Sequence, residues 1–191
     1  MSKTIIAAAI GLMLTAMPLL ANNGYKFSID ASASSVDAKV SFLGLGHKKA
    51  QFPVISGTVA MPNAAGSKID LDVKIDAARL TSSDKDTTKQ LKGRDFFNVA
   101  KFPTVTFDGN SIVMNGATKG VVSGNLTACG VTKPVKLAVT FSKAPAMTNG
   151  RENIMLTGTT TINRRDFGMT AYSVIVGKKV TITIKSRLTP G

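Results

Sequence analysis

The stretch Ile69–Asp76, IDLDVKID, alternates apolar and charged side chains at every position. Successive side chains of an extended strand point to opposite faces, so this period of two predicts a strand with one dry and one wet face. Such strands are typical of antiparallel sheets that cover a core on one side. The fold class therefore depends on how many similar stretches the chain contains.

The same alternation recurs along most of the chain, clearly at 36–42, 135–141 and 180–185. Weaker alternation marks four more stretches, at 52–61, 103–114, 119–128 and 153–163. Turn-forming residues lie between them at Pro62-Asn63, Asn115-Gly116, Thr148-Asn149-Gly150 and Gly177. The pattern predicts about eight antiparallel strands in one all-β domain.

The two edge strands of a sheet of that size must be paired or covered, because exposed edge strands promote aggregation. Closing the sheet into a barrel removes both edges. We therefore predict an eight-stranded antiparallel barrel, with a two-sheet sandwich as the structural alternative. The interior of an eight-stranded barrel is either filled by side chains or holds one small ligand.

One segment, Ser83–Lys92 (SDKDTTKQLK), lacks the alternation and predicts a single short helix at about 83–92. Ser83 is a suitable N-cap, Asp86 suits the positive end of the helix, and Lys92 suits its last turn. We expect Gly93 to end the helix in the left-handed conformation.

The helix is followed by an aromatic cluster, Gly93–Phe107 (GRDFFNVAKFPTVTF), which holds four of the nine phenylalanines. In an extended chain the neighbours Phe96 and Phe97 point in opposite directions, so one is expected to face the interior and one the helix. Leu91 is the single large apolar residue of the helix, and we expect it to anchor the helix on the barrel.

The N-terminus has the pattern of a secretory signal peptide: a basic residue, Lys3, then the apolar run Ile5–Leu20, then a small residue, Ala21. We expect residues 1–21 to be removed near Ala21, leaving a barrel domain at 22–191 in the periplasm or secreted. A retained membrane anchor is the alternative, although the run is short for a span and lacks a basic residue after it.

The chain carries 24 basic and 11 acidic residues, a net charge of +13 that favours anionic partners. The basic residues are scattered, and the export signal disfavours nucleic acid as a partner. Anionic lipid headgroups, a membrane surface or a phosphorylated ligand fit this charge better. A surface that serves only solubility is the alternative.

The residues that usually carry catalysis are scarce, since His47 and Cys129 are each the only residue of their type. A lone histidine completes neither a zinc site nor a catalytic triad, and a lone cysteine forms no intrachain disulfide. Nothing points to an enzyme or a cofactor, although an enzyme that uses the cavity remains an alternative. Cys129 is able to link two copies, so the expected state is a monomer or a homodimer.

Three blocks resemble the signature of the YceI-like family: Lys89–Phe107 (KQLKGRDFFNVAKFPTVTF), Gly124–Leu137 (GNLTACGVTKPVKL) and Thr161–Met169 (TINRRDFGM). The resemblance implies an extended lipocalin-like barrel in a periplasmic or secreted protein. It also implies that a central tunnel binds a long isoprenoid or similar amphiphile, such as a polyprenyl phosphate or a quinone tail. Sequestration, transport and storage are the roles expected of such a binding protein, and a stress-induced interaction protein with a filled barrel is the rival.

The chain departs from the family pattern near the expected tunnel, at Thr87-Thr88, Gln90, Phe42–Gly44 and Asn125. These changes remove polar and ionisable groups, so the ligand expected here is a more neutral or a differently shaped one. The candidate headgroup contacts are Arg94, Arg164 and Arg165. The candidate tunnel residues are Val40, Phe42, Leu71, Val73, Leu91, Phe96, Phe97, Phe102, Phe107, Leu137, Phe167 and Met169.

Overall fold

The computed structural model describes residues 24–61 and 68–191. The expected signal peptide and the Pro62-Asn63 turn lie outside the described residues. The ten strands of the described part are β1 (Tyr25–Phe42), β2 (Gly46–Phe52), β3 (Ile55–Met61), β4 (Lys68–Asp76), β5 (Thr81–Ser82), β6 (Thr104–Met114), β7 (Lys119–Ala128), β8 (Val131–Phe141), β9 (Ile154–Asn163) and β10 (Val176–Pro190).

Eight of these strands form the predicted barrel, and every pair of neighbours is antiparallel. The order around the barrel is β1, β3, β4, β6, β7, β8, β9 and β10, and β10 then pairs back with β1. The prediction of an all-β, eight-stranded antiparallel barrel is therefore confirmed, and the sandwich is excluded. The short strands β2 and β5 extend the sheet from one end of β1.

Strand β1 changes partners halfway along its length. Its first residues, 25–28, pair with β3, and residues 36–42 pair with β2, while β10 runs beside both halves. The pairing with β10 is irregular between Asp30 and Ser35, where β1 bulges. Alternation alone did not predict β2 or the early start of β1.

The bulge in β1 is held by polar contacts to its own backbone and to β10. The backbone N–H and hydroxyl of Ser32 donate to one carboxylate oxygen of Asp30, over 2.9 and 2.6 Å. The guanidinium of Arg187 on β10 donates to the other carboxylate oxygen, from Nε over 2.8 Å and also from Nη2. The hydroxyls of Ser34 and Ser186 share a buried hydrogen bond of 3.0 Å.

The predicted helix is present as α1 (Lys85–Lys92), but its ends differ from the prediction. The N-cap is Asp84 and not Ser83, because the Asp84 carboxylate accepts the backbone N–H of Thr87 over 2.7 Å. That hydrogen bond is the main reason why the pKa of Asp84 is lowered. Gly93 is extended, with φ −71°, so the expected left-handed stop was wrong.

Other short elements were not predicted. A second helix, α2 (Pro145–Thr148), joins β8 to β9, so the prediction of one helix was wrong. Two 3-10 turns lie at Ala77–Arg79 and Arg164–Phe167, and the second ends at Gly168 with φ 81°. Gly177 lies inside β10 and not in a turn, where a Cβ would come within 2.1 Å of Ser41 Oγ.

The seam between β8 and β9 is short, with four residue pairs, the same number as the seam between β1 and β3. Only Ala138–Phe141 of β8 pairs with β9, although β8 begins at Val131. Pro134 lies inside β8, not at its start as expected, opposite Asn125 of β7. Residue pairs of a hairpin alternate between hydrogen-bonded and non-hydrogen-bonded, and Pro134 and Asn125 form a non-hydrogen-bonded pair when the alternation is followed from the Cys129-Gly130 turn. The proline nitrogen therefore points toward β9, and its missing N–H removes no hydrogen bond between β7 and β8.

Replacing Asp30 by Asn tests the β1–β10 seam. The hydroxyl of Ser32 and the guanidinium of Arg187 are the main causes that lower the pKa of Asp30 from 3.8 to about 2. A lowered folded-state pKa stabilises the fold above the unfolded value and loses that effect as the pH falls through the folded value. We expect Asp30→Asn to unfold at a lower temperature than the parent above about pH 4, and the difference to shrink as the pH falls and to vanish below about pH 2.

The measurement is thermal unfolding followed by circular dichroism across that pH range. Asp70→Asn is the control, because Asp70 is exposed on β4 and forms no ion pair with the described residues. A difference between parent and Asp30→Asn that is independent of pH would contradict the electrostatic account of the seam.

Candidate ligand tunnel

An elongated cavity of about 200 Å³ lies inside the barrel and is lined almost wholly by apolar side chains. The length of the cavity can be measured along strand β10, whose lining residues run from Val176 to Leu188. At about 3.3 Å per residue these positions span about 40 Å of strand. A strand tilt of about 40° reduces this to a tunnel of about 30 Å along the barrel axis. The β10 residues that line it are Val176, Val180, Ile182, Ile184, Ser186 and Leu188.

The tunnel exists because some inward side chains are too small or too widely spaced to meet at the axis. Ala38, Ile182 and Ile184 line the cavity and pack on the core, yet each is only half-buried. Their remaining accessible surface faces the cavity. By contrast, Phe27 and Ile154 are fully buried. The barrel is therefore partly filled and partly hollow.

The structure brings most of the predicted site residues to the cavity. The lining includes Val40, Leu71, Val73, Leu91, Phe96, Phe97, Phe107, Leu137, Met169 and Arg164. Five predicted residues do not line it. Phe42, Phe102 and Phe167 pack elsewhere, and Arg94 and Arg165 lie outside the barrel.

The phenylalanines that miss the cavity have other contacts. Phe102 packs beneath the turn between β7 and β8, where a Cβ on Gly130 would lie 2.8 Å from its ring. The ammonium of Lys48 lies 5.5 Å from the ring centroid of Phe42. Phe167 is buried in the 3-10 turn that follows β9.

Two phenylalanines form an aromatic end to the tunnel. Phe97 meets Phe52 edge to face, with ring centroids 5.4 Å apart, and Phe96 stacks on Tyr172 at 5.8 Å. The expectation that Phe96 and Phe97 diverge assumed an extended chain. Residues 94–97 form a turn instead, so both rings reach the cavity. Leu91 of α1 joins them, as predicted for the anchor of the helix.

A shallow polar pocket lies outside this aromatic end. It is formed by the last turns of α1, the segment that follows it, and Tyr172. Phe96 is shared, since its ring borders both the tunnel and this outer pocket. Arg94 lies here, beside acidic as well as basic side chains. The lining residues are Asp86, Lys89, Gln90, Gly93, Arg94, Asp95, Phe96 and Tyr172.

Arg164 is a charged residue buried at the same end of the tunnel. Its guanidinium donates to the carbonyl oxygens of Val176 and Gly177, each over 3.0 Å, and to that of Met169. Burial, and then the charge of Arg165, lower its pKa, but an arginine stays protonated at any ordinary pH. Two of its five N–H groups remain for other acceptors. Its guanidinium carbon also lies 6.0 Å from the ring centroid of Phe96.

The described residues contain no cluster of three or more histidine, cysteine or carboxylate side chains able to hold a metal ion. Cys129 is half-buried in the turn between β7 and β8, and its thiol contacts the carbonyl of Phe96 over 3.4 Å. Burial raises the pKa of that thiol, which keeps it protonated and weakens it as a nucleophile. His47 is exposed on β2. The cavity therefore offers apolar surface and a buried cation rather than an acid–base pair.

The site has members that the sequence-based choice of site residues omitted. Val36, Ile182 and Ile184 line the cavity, and the alternation had already placed them on dry strand faces. Tyr172 lies in the loop before β10, where no periodic signal exists. Its stacking on Phe96 depends on two segments that are about 75 residues apart in the chain.

Arg164 provides a direct test of how this end of the tunnel is held. Arg164→Leu leaves three carbonyl groups without their donor, and a buried group that loses its partner costs about 1–3 kcal/mol. We expect the variant to lose about 3 kcal/mol of unfolding free energy in urea denaturation. The matched Arg165→Leu removes an exposed guanidinium and should change stability by less than about 0.5 kcal/mol. Equal losses in the two variants would contradict the buried role of Arg164.

Known proteins resemble this chain in sequence and in fold. The family described as the YceI-like domain matches residues 27–188. A UPF0312 protein of Vibrio vulnificus is 33% identical over 172 residues, which cover 88% of this chain and 89% of the relative. A UPF0312 protein of Pseudomonas fluorescens is also 33% identical, over 171 residues and 88% of each chain.

Two solved structures share the fold. The crystal structure of Burkholderia cenocepacia BcnA has a TM-score of 0.73 and 24% identity, covering 83% of this chain and 98% of that one. A polyisoprenoid binding domain from Saccharophagus degradans, implicated in plant cell wall breakdown, has a TM-score of 0.67 and 15% identity. The match covers 86% of this chain and 98% of the Saccharophagus degradans chain. None of the helices in 24–61 and 68–191 is long and apolar enough to span a membrane.

Proposed function

This chain belongs to the YceI-like family, and we propose that it is an exported, non-enzymatic protein that holds a long isoprenoid or similar amphiphile in its tunnel. Polyprenyl phosphates and quinones with isoprenoid tails are the leading ligand classes. The protein would sequester, carry or store such a molecule. One observation carries the proposal: a narrow apolar cavity extends along the axis of a closed barrel.

The shape of the cavity favours a chain-like ligand over a compact one. A flexible tail fills a tunnel of about 30 Å without requiring the barrel to widen. Each square ångström of apolar surface that leaves water is worth about 25 cal/mol, so affinity grows with the length of the buried tail. The structural neighbour from Saccharophagus degradans is a polyisoprenoid binding domain, which supports the same ligand class here.

The aromatic end of the tunnel suits the head of such a ligand. The ring of Phe96 borders both the tunnel and the outer polar pocket, so a head beyond it would meet Arg94 and Tyr172. Arg164 has two free N–H groups and a buried charge at this end, which favours an electron-rich oxygen. The outer pocket holds Asp86 and Asp95 as well as Lys89 and Arg94, so its charges balance, as suits a head of low net charge.

The apolar N-terminal sequence supports export, and we propose that the mature protein works in the periplasm or outside the cell. Binding without catalysis is supported by the chemistry of the cavity wall. Its side chains are almost wholly apolar, and the thiol of Cys129 has a raised pKa. Catalysis usually needs a nucleophile activated by a positioned base, and the polar residues that line the cavity, Lys48, Lys49, Thr160, Arg164 and Ser186, include no carboxylate or imidazole for that role.

Native mass spectrometry of the purified protein tests the proposal. We expect an additional mass that organic extraction releases as a long-chain lipid. A protein without that mass should take up a polyprenyl phosphate or a quinone with an isoprenoid tail from detergent micelles. An apo mass that persists after both additions would refute the ligand class.

A variant that fills the tunnel tests where the ligand lies. Ala38 lines the cavity on β1, so Ala38→Phe puts a ring into the path of the tail. We expect uptake to weaken at least about tenfold, which corresponds to about 1.4 kcal/mol. The extra ring would occupy space that is otherwise empty, so the barrel should remain folded.

Ala138→Phe is the matched control, because Ala138 is exposed on the outer face of β8. It makes the same chemical change away from the cavity, and uptake should equal that of the parent. Circular dichroism verifies that both variants are folded. Uptake that is unchanged in Ala38→Phe would contradict a ligand in the tunnel.

A further inference from the structure

Two loops at the tunnel mouth carry apolar side chains that point into solvent. In the turn between β1 and β2, Leu43 is 57% exposed and Leu45 is 98% exposed. In the loop before β10, Tyr172 is 47% exposed and Val174 is 97% exposed. We call these four residues the apolar tip. Single exposed apolar residues are common, but a group contributed by two separate loops marks an interaction surface.

The two halves of the apolar tip are joined by backbone contacts. The N–H of Leu43 donates to the carbonyl of Ile175 over 2.8 Å, and Phe42 pairs with Val176. Arg164 holds the carbonyl of Val176 from inside the barrel. The tip is therefore a built part of the fold, supported by strand pairing and a buried guanidinium, and its exposed side chains are displayed together.

Basic residues surround the apolar tip. Apart from the buried Arg164, the segments 42–49 and 164–179, which carry the tip, contain five basic residues and one acidic residue. Lys178 and Lys179 are exposed just after the tip on β10, and Arg165 donates to the carbonyl of Ser173 inside the loop. An apolar projection with a basic rim complements a bilayer that contains anionic lipids, because the side chains enter the headgroup region while the cations meet phosphate.

Carboxylates also lie near the tip: Asp86 and Asp95 line the outer pocket beside Tyr172, together with Lys89 and Arg94. Asp166 accepts a hydrogen bond from the side-chain amide of Asn163 over 2.8 Å. Asp84 lies 3.4 Å from the ammonium of Lys48. Lys48 offsets Asp84, while Lys89 and Arg94 offset Asp86 and Asp95. Arg165, Lys178 and Lys179 then outnumber Asp166, so the surface around the tip stays basic.

The apolar tip is directly connected to the tunnel. Tyr172, which belongs to the tip, stacks on Phe96, and Phe96 lines the tunnel. A bilayer that receives the tip would therefore touch the end of the tunnel where the outer pocket opens. A lipid would pass between membrane and tunnel without crossing bulk water, which is the costly step for a long apolar tail.

We propose that the apolar tip docks the protein on an anionic lipid bilayer, with Leu45 and Val174 inserted and the tunnel mouth facing the membrane. The proposal rests on the proposed function, in which the tunnel exchanges a lipid with a membrane. It commits to a bilayer because the most exposed apolar side chains stand on a surface whose net charge is basic. A protein partner and a second copy of this chain are outcomes that the experiment separates.

The opposite end of the barrel offers a matched control. Val113 is 65% exposed near the end of β6, and Met147 is 80% exposed in α2. The nearby ammonium of Lys143 is paired with Glu152, so the local charge there is partly cancelled. Replacing Val113 and Met147 removes a comparable apolar surface without touching the tip.

The experiment compares three forms of the purified protein: the parent, Leu45→Ser with Val174→Ser, and Val113→Ser with Met147→Ser. Each is sedimented with vesicles of phosphatidylcholine alone or with about 30% phosphatidylglycerol. We expect the parent to bind the anionic vesicles, and to bind them more weakly at about 0.5 M salt. The tip variant should lose at least about tenfold in binding, while the control variant should bind as the parent does.

Uptake of an isoprenoid quinone from detergent micelles separates this inference from the proposed function. The tip variant should take up the quinone as well as the parent, because its tunnel is unchanged. Parent protein that takes up the quinone but does not sediment with anionic vesicles would overturn the docking proposal alone. Parent protein that sediments but takes up no quinone would overturn the proposed function alone.

Three further outcomes would also overturn membrane docking. Equal sedimentation of the tip and control variants would show that the tip does not insert. Light scattering that finds a dimer of the parent and a monomer of the tip variant, without vesicle binding, would assign the tip to contact between two copies. Sedimentation that needs an added protein would assign it to a protein partner.

Discussion

The pairing of β1 with β10 is the interaction on which the rest of the structure depends, because it joins the two ends of the sheet. Without it the eight strands would form an open sheet with two exposed edges and no enclosed interior. The pairing survives a bulge in β1 because Asp30, Ser34, Ser186 and Arg187 satisfy the polar groups around it. The same bulge lets β1 leave β3 and reach β2, which places the turn at Leu43–Leu45 beside the tunnel mouth.

The interior combines tight packing with an open axis. Residues such as Phe27 and Ile154 are fully buried and stabilise the wall, while Ala38, Ile182 and Ile184 leave surface facing the tunnel. A protein that only needed stability would fill this space, since unfilled volume in a core lowers the free energy of unfolding. The open axis is thus a feature that stability does not explain, and a ligand tail that occupies it restores the missing contacts.

Arg164 links the tunnel to the apolar tip. Its guanidinium holds the carbonyls of Met169, Val176 and Gly177, and these residues flank the loop that carries Tyr172 and Val174. Three carbonyl acceptors without a paired carboxylate compensate part of the desolvation of the buried charge and leave it net positive. One residue therefore shapes the loop, contributes charge at the tunnel mouth and orients the surface that we propose to meet the membrane.

The alternation of apolar and polar residues by itself determined most of the strands and their inward faces, because successive side chains of a strand point to opposite faces. That pattern did not distinguish a closed barrel from a two-sheet sandwich, which the pairing of β1 with β10 decided. It also placed Val40, Leu71, Val73 and Leu137 at the cavity. It missed the Asp84 cap, and it misjudged Phe96 and Phe97 because residues 94–97 turn and do not extend. Only the tertiary structure decided that Tyr172 stacks on Phe96, that Arg164 is buried, and that Leu45 and Val174 share one end. Those facts depend on contacts between segments distant in the chain, which no local pattern encodes.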